Sequence, residues 1–192
     1  MTDANNNLLK DSEVTLTASP ANLALDPDGT ATTNEQGQAI FTATTSVAAT
    51  YTLTAKVEQA DGQESTKTAE SKFVADDKNA ELTASSDVQS LVADGKSTAK
   101  LEVTLFSANN PVGGNVWVDI EAPEGVTEAD YQFLPSKNDH FASGKITRTF
   151  STNKPGTYTF TFNSLTYGGY EMKPVTVTIN AVPADTEGAE EK

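Results

Sequence analysis

Residues 49–57 read Ala-Thr-Tyr-Thr-Leu-Thr-Ala-Lys-Val. Tyr51, Leu53, Ala55 and Val57 alternate with Thr52, Thr54 and Lys56. On an extended strand a period of two sends alternate side chains to opposite faces, so one face here is apolar and the other polar. That is the pattern of a strand half buried in an antiparallel sheet. The pattern recurs along the chain. Val14, Leu16 and Ala18 alternate with Thr15 and Thr17, and Leu101, Val103 and Leu105 with Glu102 and Thr104. Val116, Val118 and Ile120 alternate with Trp117 and Asp119. Tyr158, Phe160 and Phe162, then Val175, Val177 and Ile179, are separated by threonines. Between the runs lie turn signals: Asp28-Gly29, Asp61-Gly62, Asp94-Gly95, Lys154-Pro155-Gly156 and Gly168-Gly169. No segment sustains the three-and-four spacing of a helix, so the expected fold class is all-β.

Composition narrows the functions. The 192 residues include 13 Lys+Arg and 27 Asp+Glu, a formal net charge of −14. Phosphate contacts need Lys and Arg, so nucleic acid is excluded as a partner. No run of about 20 apolar residues exists to cross a bilayer as a helix. No signal-peptide pattern is visible. With no cysteine, disulfide staples and thiolate metal sites are ruled out.

The chain repeats itself. Residues 49–53 (ATYTL) resemble residues 155–160 (PGTYTF), with Tyr51 and Tyr158 standing 107 residues apart. Ala4-Asn5-Asn6-Asn7 ahead of the Val14 run resembles Ala108-Asn109-Asn110-Pro111 ahead of the Val116 run. A repeat of about 100 residues built from short alternating strands is the length of one immunoglobulin-like sandwich. The reading is two tandem Ig-like β-sandwich domains, residues 1–76 and 79–183, joined at the polar stretch Ala75-Asp76-Asp77-Lys78-Asn79. Residues 184–192 (ADTEGAEEK) read as a disordered acidic tail. About 29 residues precede the Asn-Asn-Pro turn of the second domain, enough for two strands, and only a few precede Asn5 in the first. The first domain is therefore expected to lack its two N-terminal strands. The expectation is that further chain upstream of Met1 completes it; the alternative is strand exchange with a neighbouring copy, and otherwise a monomer is expected.

These motifs resemble the bacterial Ig-like (Big-1 type) repeat of intimin/invasin-type adhesins. Residues 92–99 (VADGKSTA) leading into the Leu101 run, then Asn109-Asn110-Pro111-Val112 before Val116, carry the resemblance in the second unit. Residues 32–39 (TTNEQGQA), similar to that family's "T-D-x-x-G-x-A" turn, and residues 50–55 carry it in the first. The second unit departs from the pattern, with Phe141-Ala142-Ser143-Gly144-Lys145-Ile146 where that turn belongs. The resemblance spans roughly residues 3–182. It implies an extracellular part of a bacterial surface protein, anchored in the outer membrane by a β-barrel absent from this sequence. It also implies a role in virulence: attachment to a host cell-surface or extracellular-matrix protein or glycan.

Candidate chemistry is sparse. His140 is a lone histidine in a loop, and neither a triad nor a zinc site is built from one nitrogen. The acids show no distinguishing spacing, so no hydrolase pair can be nominated, and the chain reads as a non-enzyme with no cofactor. Asp26-Pro27-Asp28-Gly29 reads as turn chemistry. Asp76 and Asp77 are the calcium candidates, although calcium needs six to eight oxygens from several segments. Ligand contact is assigned to aromatics: Tyr167 and Tyr170 at a hairpin tip, Tyr131 in the long connection 125–144, and Trp117, which points away from Val116 and Val118. Two other readings are a passive stalk, and an accessory binding module of a secreted carbohydrate-active enzyme.

Overall fold

The computed structural model describes residues 1–2, 6–58 and 64–184. The Asp61-Gly62 turn, Ala4-Asn5 and the tail from residue 185 onward lie outside the described residues. The chain divides into two compact units, Met1–Val74 and Ala75–Lys192. Among the described residues every regular element is a strand, apart from single 3-10 turns at Asp77–Asn79 and Glu128–Asp130.

Unit 1 contains β1 (Glu13–Ser19), β2 (Ala24–Asp26), β3 (Thr30–Thr32), β4 (Thr42–Thr44), β5 (Ala49–Glu58) and β6 (Glu64–Phe73). Four of them form an antiparallel sheet in the order β3-β1-β5-β6, and β2 and β4 pair separately. The register sets Leu16 opposite Ala55 and Ala18 opposite Leu53, so the apolar set of the sequence lies on one face. That face is thinly covered. Val14, Leu23 and Tyr51 are its buried hydrophobic residues; Leu16, Leu53, Ala55 and Val57 are only half-buried.

Unit 2 contains β7 (Glu81–Ser86), β8 (Ser90–Ala93), β9 (Ala99–Ser107), β10 (Asn110–Pro111), β11 (Gly114–Glu121), β12 (Tyr131–Leu134), β13 (Asn138–Phe141), β14 (Lys145–Thr152), β15 (Gly156–Thr166) and β16 (Val175–Pro183). They form two five-stranded sheets. One runs β13-β11-β15-β16-β8, with β8 parallel to β16; in the other, β9 lies between β7 and β14, with β12 beyond β14. Inward residues of both sheets make one core: Leu101, Val103 and Leu105 from β9 face Tyr158, Phe160 and Phe162 from β15. Phe150, between them, lies 4.9 Å from both Tyr158 and Phe160. This is the packing of a β-sandwich.

The units share a plan. The order β3-β1-β5-β6 repeats as β13-β11-β15-β16, and the β2–β4 pair repeats as β12–β14. Tyr51 and Tyr158 open the equivalent strands and make the same bonds. The Tyr158 hydroxyl donates to the Lys154 carbonyl (2.9 Å) and is bonded to Thr152 Oγ1 at 2.8 Å. The Tyr51 hydroxyl donates to the Val47 carbonyl (3.2 Å) and is bonded to Thr45 Oγ1 at 3.0 Å. Each tyrosine thus ties the incoming connection to the core. Tyr158→Phe, which removes the bonds to Thr152 Oγ1 and the Lys154 carbonyl, is expected to cost about 0.5–1.5 kcal/mol in urea unfolding; a neutral result would mean the latch is idle.

Among the described residues of unit 1 no strand takes the place of β7, β8 or β9. Where the residue count predicts two strands, unit 2 holds three, because β8 is short and folds over to the other sheet beside β16. The connection 125–144 is likewise not a free loop. It holds β12 and β13, one strand for each sheet.

Candidate functional site

Tyr167 and Tyr170 flank the tight turn between β15 and β16. Gly169 has φ +85, a backbone region favouring glycine, and its amide donates to the Thr166 carbonyl at 3.0 Å. The Thr166 amide donates to the Tyr170 carbonyl (2.9 Å), and the Tyr170 amide to Thr166 Oγ1 (3.1 Å). The Tyr167 amide donates to the Gly113 carbonyl at 3.0 Å. Its ring covers Gly113, where an added Cβ would come within 2.7 Å of it. The turn is therefore rigid, and its rings stay open to solvent: Tyr167 is 63% exposed and Tyr170 43%. Large, stiff, amphipathic rings on a fixed turn suit protein contact, since little entropy is lost on binding.

Asp77 belongs to this end of the unit. Its carboxylate accepts from the Gly168 amide at 3.0 Å. Asp76 caps the short 3-10 turn, accepting from the Lys78 amide (3.1 Å) and the Asn79 side chain (2.6 Å). The Asn79 bond, foremost, holds the Asp76 carboxyl below its ordinary pKa. The calcium candidates are thus engaged in tethering the segment that enters unit 2. Among the described residues no group of three or more His, Cys, Asp or Glu is arranged to hold a metal ion.

The four aromatics named from the sequence do not converge. Tyr131 packs against the core, its ring 6.1 Å from those of Phe150 and Tyr158. Tyr158 lies near the start of β15 and Thr166 ends it, so Tyr131 stands roughly 26 Å from the tyrosine turn at about 3.3 Å per residue. Trp117 lies on the outer sheet face, 38% exposed, between Asn138 on β13 and Asn163 on β15. His140 is on β13 rather than in a loop, with its imidazole open to solvent.

One buried group went unread in the sequence. Arg148 is 3% exposed on β14. Its Nε and Nη1 donate to the Ser136 and Thr147 carbonyls, each at 2.8 Å, and Nη2 donates to Asp139 at 2.6 Å. The guanidinium, with help from the His140 amide, holds the Asp139 carboxyl below its usual range. The signal was available: Ile146, Arg148 and Phe150 alternate, which points the arginine inward. This arrangement ties β13 to β14.

Residues 1–74 match the family model of the bacterial Ig-like domain (group 1). No curated protein matches the chain in sequence. Yersinia pseudotuberculosis InvD superposes with a TM-score of 0.52 at 16% identity, covering 100% of this chain and 53% of InvD. The D00-D0 domain of intimin gives 0.43 at 14% identity, covering 91% of this chain and 87% of that one. A glycosyl hydrolase family 2 member from Bacteroides cellulosilyticus also gives 0.43, at 15% identity, covering 89% of this chain and 22% of the enzyme. Likeness at that level is shared by proteins of different activity and speaks for the sandwich alone. The chain therefore shares the β-sandwich fold of InvD, and its residues 1–74 match the bacterial Ig-like domain (group 1).

Proposed function

We propose that the chain is a two-domain, non-enzymatic segment of the extracellular part of a bacterial surface adhesin, held at the outer membrane by another part of its polypeptide. Its role is attachment to host cells or matrix. The observation that carries this reading is the group 1 family match together with a fold shared with InvD along the whole chain. The acids with shifted pKa support a non-enzymatic role, since hydrogen bonds in turns, caps and the Arg148 pair engage them. Tyr167 and Tyr170 are the residues offered to a host protein.

A specific observation favours a second reading, the passive spacer. Asp77 ties the tyrosine turn to the point where the chain enters unit 2. The chain leaves at the other end, where Ala181 pairs with Gly156. A turn at the point of entry serves a stalk as well as a receptor. The test is binding of the immobilised full chain to host cells, matrix proteins and a glycan array. The Tyr167→Ala/Tyr170→Ala variant is expected to lose protein binding by more than about tenfold, as for paired aromatic anchors. No binding by either protein would favour the spacer, and binding to sugars alone the enzyme accessory module.

A further inference from the structure

We infer that Asp77 and Tyr170 form a cation-accepting site on unit 2, and that its occupant is an arginine side chain carried by a protein partner. The inference rests on the reading that the tyrosine turn meets a host protein, and it names the chemistry of that contact. Asp77 is half-buried, and the Gly168 amide donates to its Oδ2 at 3.0 Å. The ion pairs of the chain lie elsewhere, so among the described residues no lysine or arginine pairs with this carboxylate. Lys78 and Lys173, the nearest bases in sequence, are exposed and leave it unneutralised. A carboxylate drawn partly out of water without a counter-charge gains from a cation that can reach it.

Gly168 brings ring and charge together. A Cβ added there would fall 2.8 Å from Asp77 Oδ2 and 3.3 Å from Tyr170 Cε2, so both crowd one point and glycine leaves room for them. Tyr170 is largely open to solvent, and its exposed neighbour Glu171 adds a second negative charge. An aromatic face attracts a cation lying within about 6 Å of its centre. A guanidinium suits this pair better than an ammonium. It is planar, stacks on a ring, and donates in a fork to a carboxylate with the same group. Tyr167, laid over Gly113 with its outer side in water, adds apolar contact on the same turn. The charge balance agrees: at a net −14 the chain draws in a basic surface and repels an acidic one.

The test uses the full chain and a tri-arginine peptide as the probe, with tri-lysine and tri-citrulline peptides beside it. NMR amide shifts locate the binding and give its dissociation constant. The arginine peptide should shift the Gly168 and Tyr170 amides saturably and bind more than about threefold tighter than the lysine peptide. The uncharged citrulline peptide should leave them unmoved. Asp77→Asn keeps an oxygen to accept from the Gly168 amide but removes the charge, and should weaken binding more than about fivefold. Tyr170→Leu should weaken it comparably, and Tyr170→Phe, which keeps the ring, by less than about twofold. Glu121→Gln removes the same charge from the opposite end of β11 and β15 and should change nothing. Urea unfolding followed by Trp117 fluorescence checks that each variant is folded. The inference is overturned if citrulline or lysine peptides match arginine, or if Asp77→Asn or Tyr170→Leu binds as the native chain does. It is equally overturned if Glu121→Gln weakens binding as much as Asp77→Asn, the mark of diffuse attraction to an acidic chain. Capture of a host protein that survives Asp77→Asn and excess arginine peptide overturns this inference alone. Arginine-specific binding by a chain that captures no host protein upholds the site and ends the attachment reading.

Discussion

Phe160→Ala is expected to destabilise unit 2 by about 3–5 kcal/mol, the range for removing a large aromatic from a packed core. Phe160 has no exposed surface. Its ring stacks on Phe133 at 5.6 Å and meets Phe150 edge-on at 4.9 Å, so its loss opens a void between the two sheets. Backbone pairing of β15 to β11 and β16 holds the walls of that void apart and prevents collapse. Urea unfolding followed by Trp117 fluorescence reads unit 2 alone, because the chain has one tryptophan. Leu53 occupies the equivalent position on β5, two residues past its tyrosine, and is only half-buried. Leu53→Ala should therefore cost less. A cost below about 1 kcal/mol for Phe160→Ala would mean that the two sheets do not share a core.

Arg148→Met is expected to cost about 2–4 kcal/mol. Breaking a buried ion pair by removing one partner costs about 3–5 kcal/mol. The lower figure applies because the Asp139 side chain keeps 31% of its surface in water and can be rehydrated. The Ser136 and Thr147 carbonyls also lose their donors. The pair has a pH signature. The folded Asp139 pKa lies below the ordinary 3.8. The stability it contributes is present above that value and is lost as pH falls through the lowered folded pKa. Native protein should therefore weaken on acidification below 3.8 more steeply than Arg148→Met, which has little of this contribution left to lose. Urea midpoints measured across the acid range test this; parallel acid slopes would show that the guanidinium does not hold the carboxyl down.

The strands that build the core were legible where alternation was clean, as in β1, β5, β9, β11, β15 and β16. β6 lacks clean alternation for a physical reason. Its inward residues, opposite Val57, Ala55, Leu53 and Tyr51, are Ser65, Lys67, Ala69 and Ser71. Among the described residues no second sheet covers the flank they line, so nothing there requires them to be apolar. The equivalent strand in unit 2 meets β8 and the core and carries Val175, Val177 and Ile179. β14 escaped notice because Arg148 interrupts its apolar row, and β12 and β13 because four residues give too few alternations to count. The tyrosine turn was legible from Gly168-Gly169. The remoteness of Tyr131 was not, because only the β12–β14 register sets it opposite Thr152, at the far end of the sandwich.

The composition of β6 bears on how the protein behaves at high concentration. Within unit 1 it is the outermost strand of its sheet, ten residues long, with a row of amides and carbonyls facing outward. Such a border invites fibril growth, in which copies add side by side. Glu64, Lys67, Glu70 and Lys72 interrupt it with charges of both signs, and threonine and serine fill most of the rest. Stacking like on like would bring equal charges together at each repeat, about 4.8 Å apart. Charges of both signs along β6 thus oppose its like-on-like stacking.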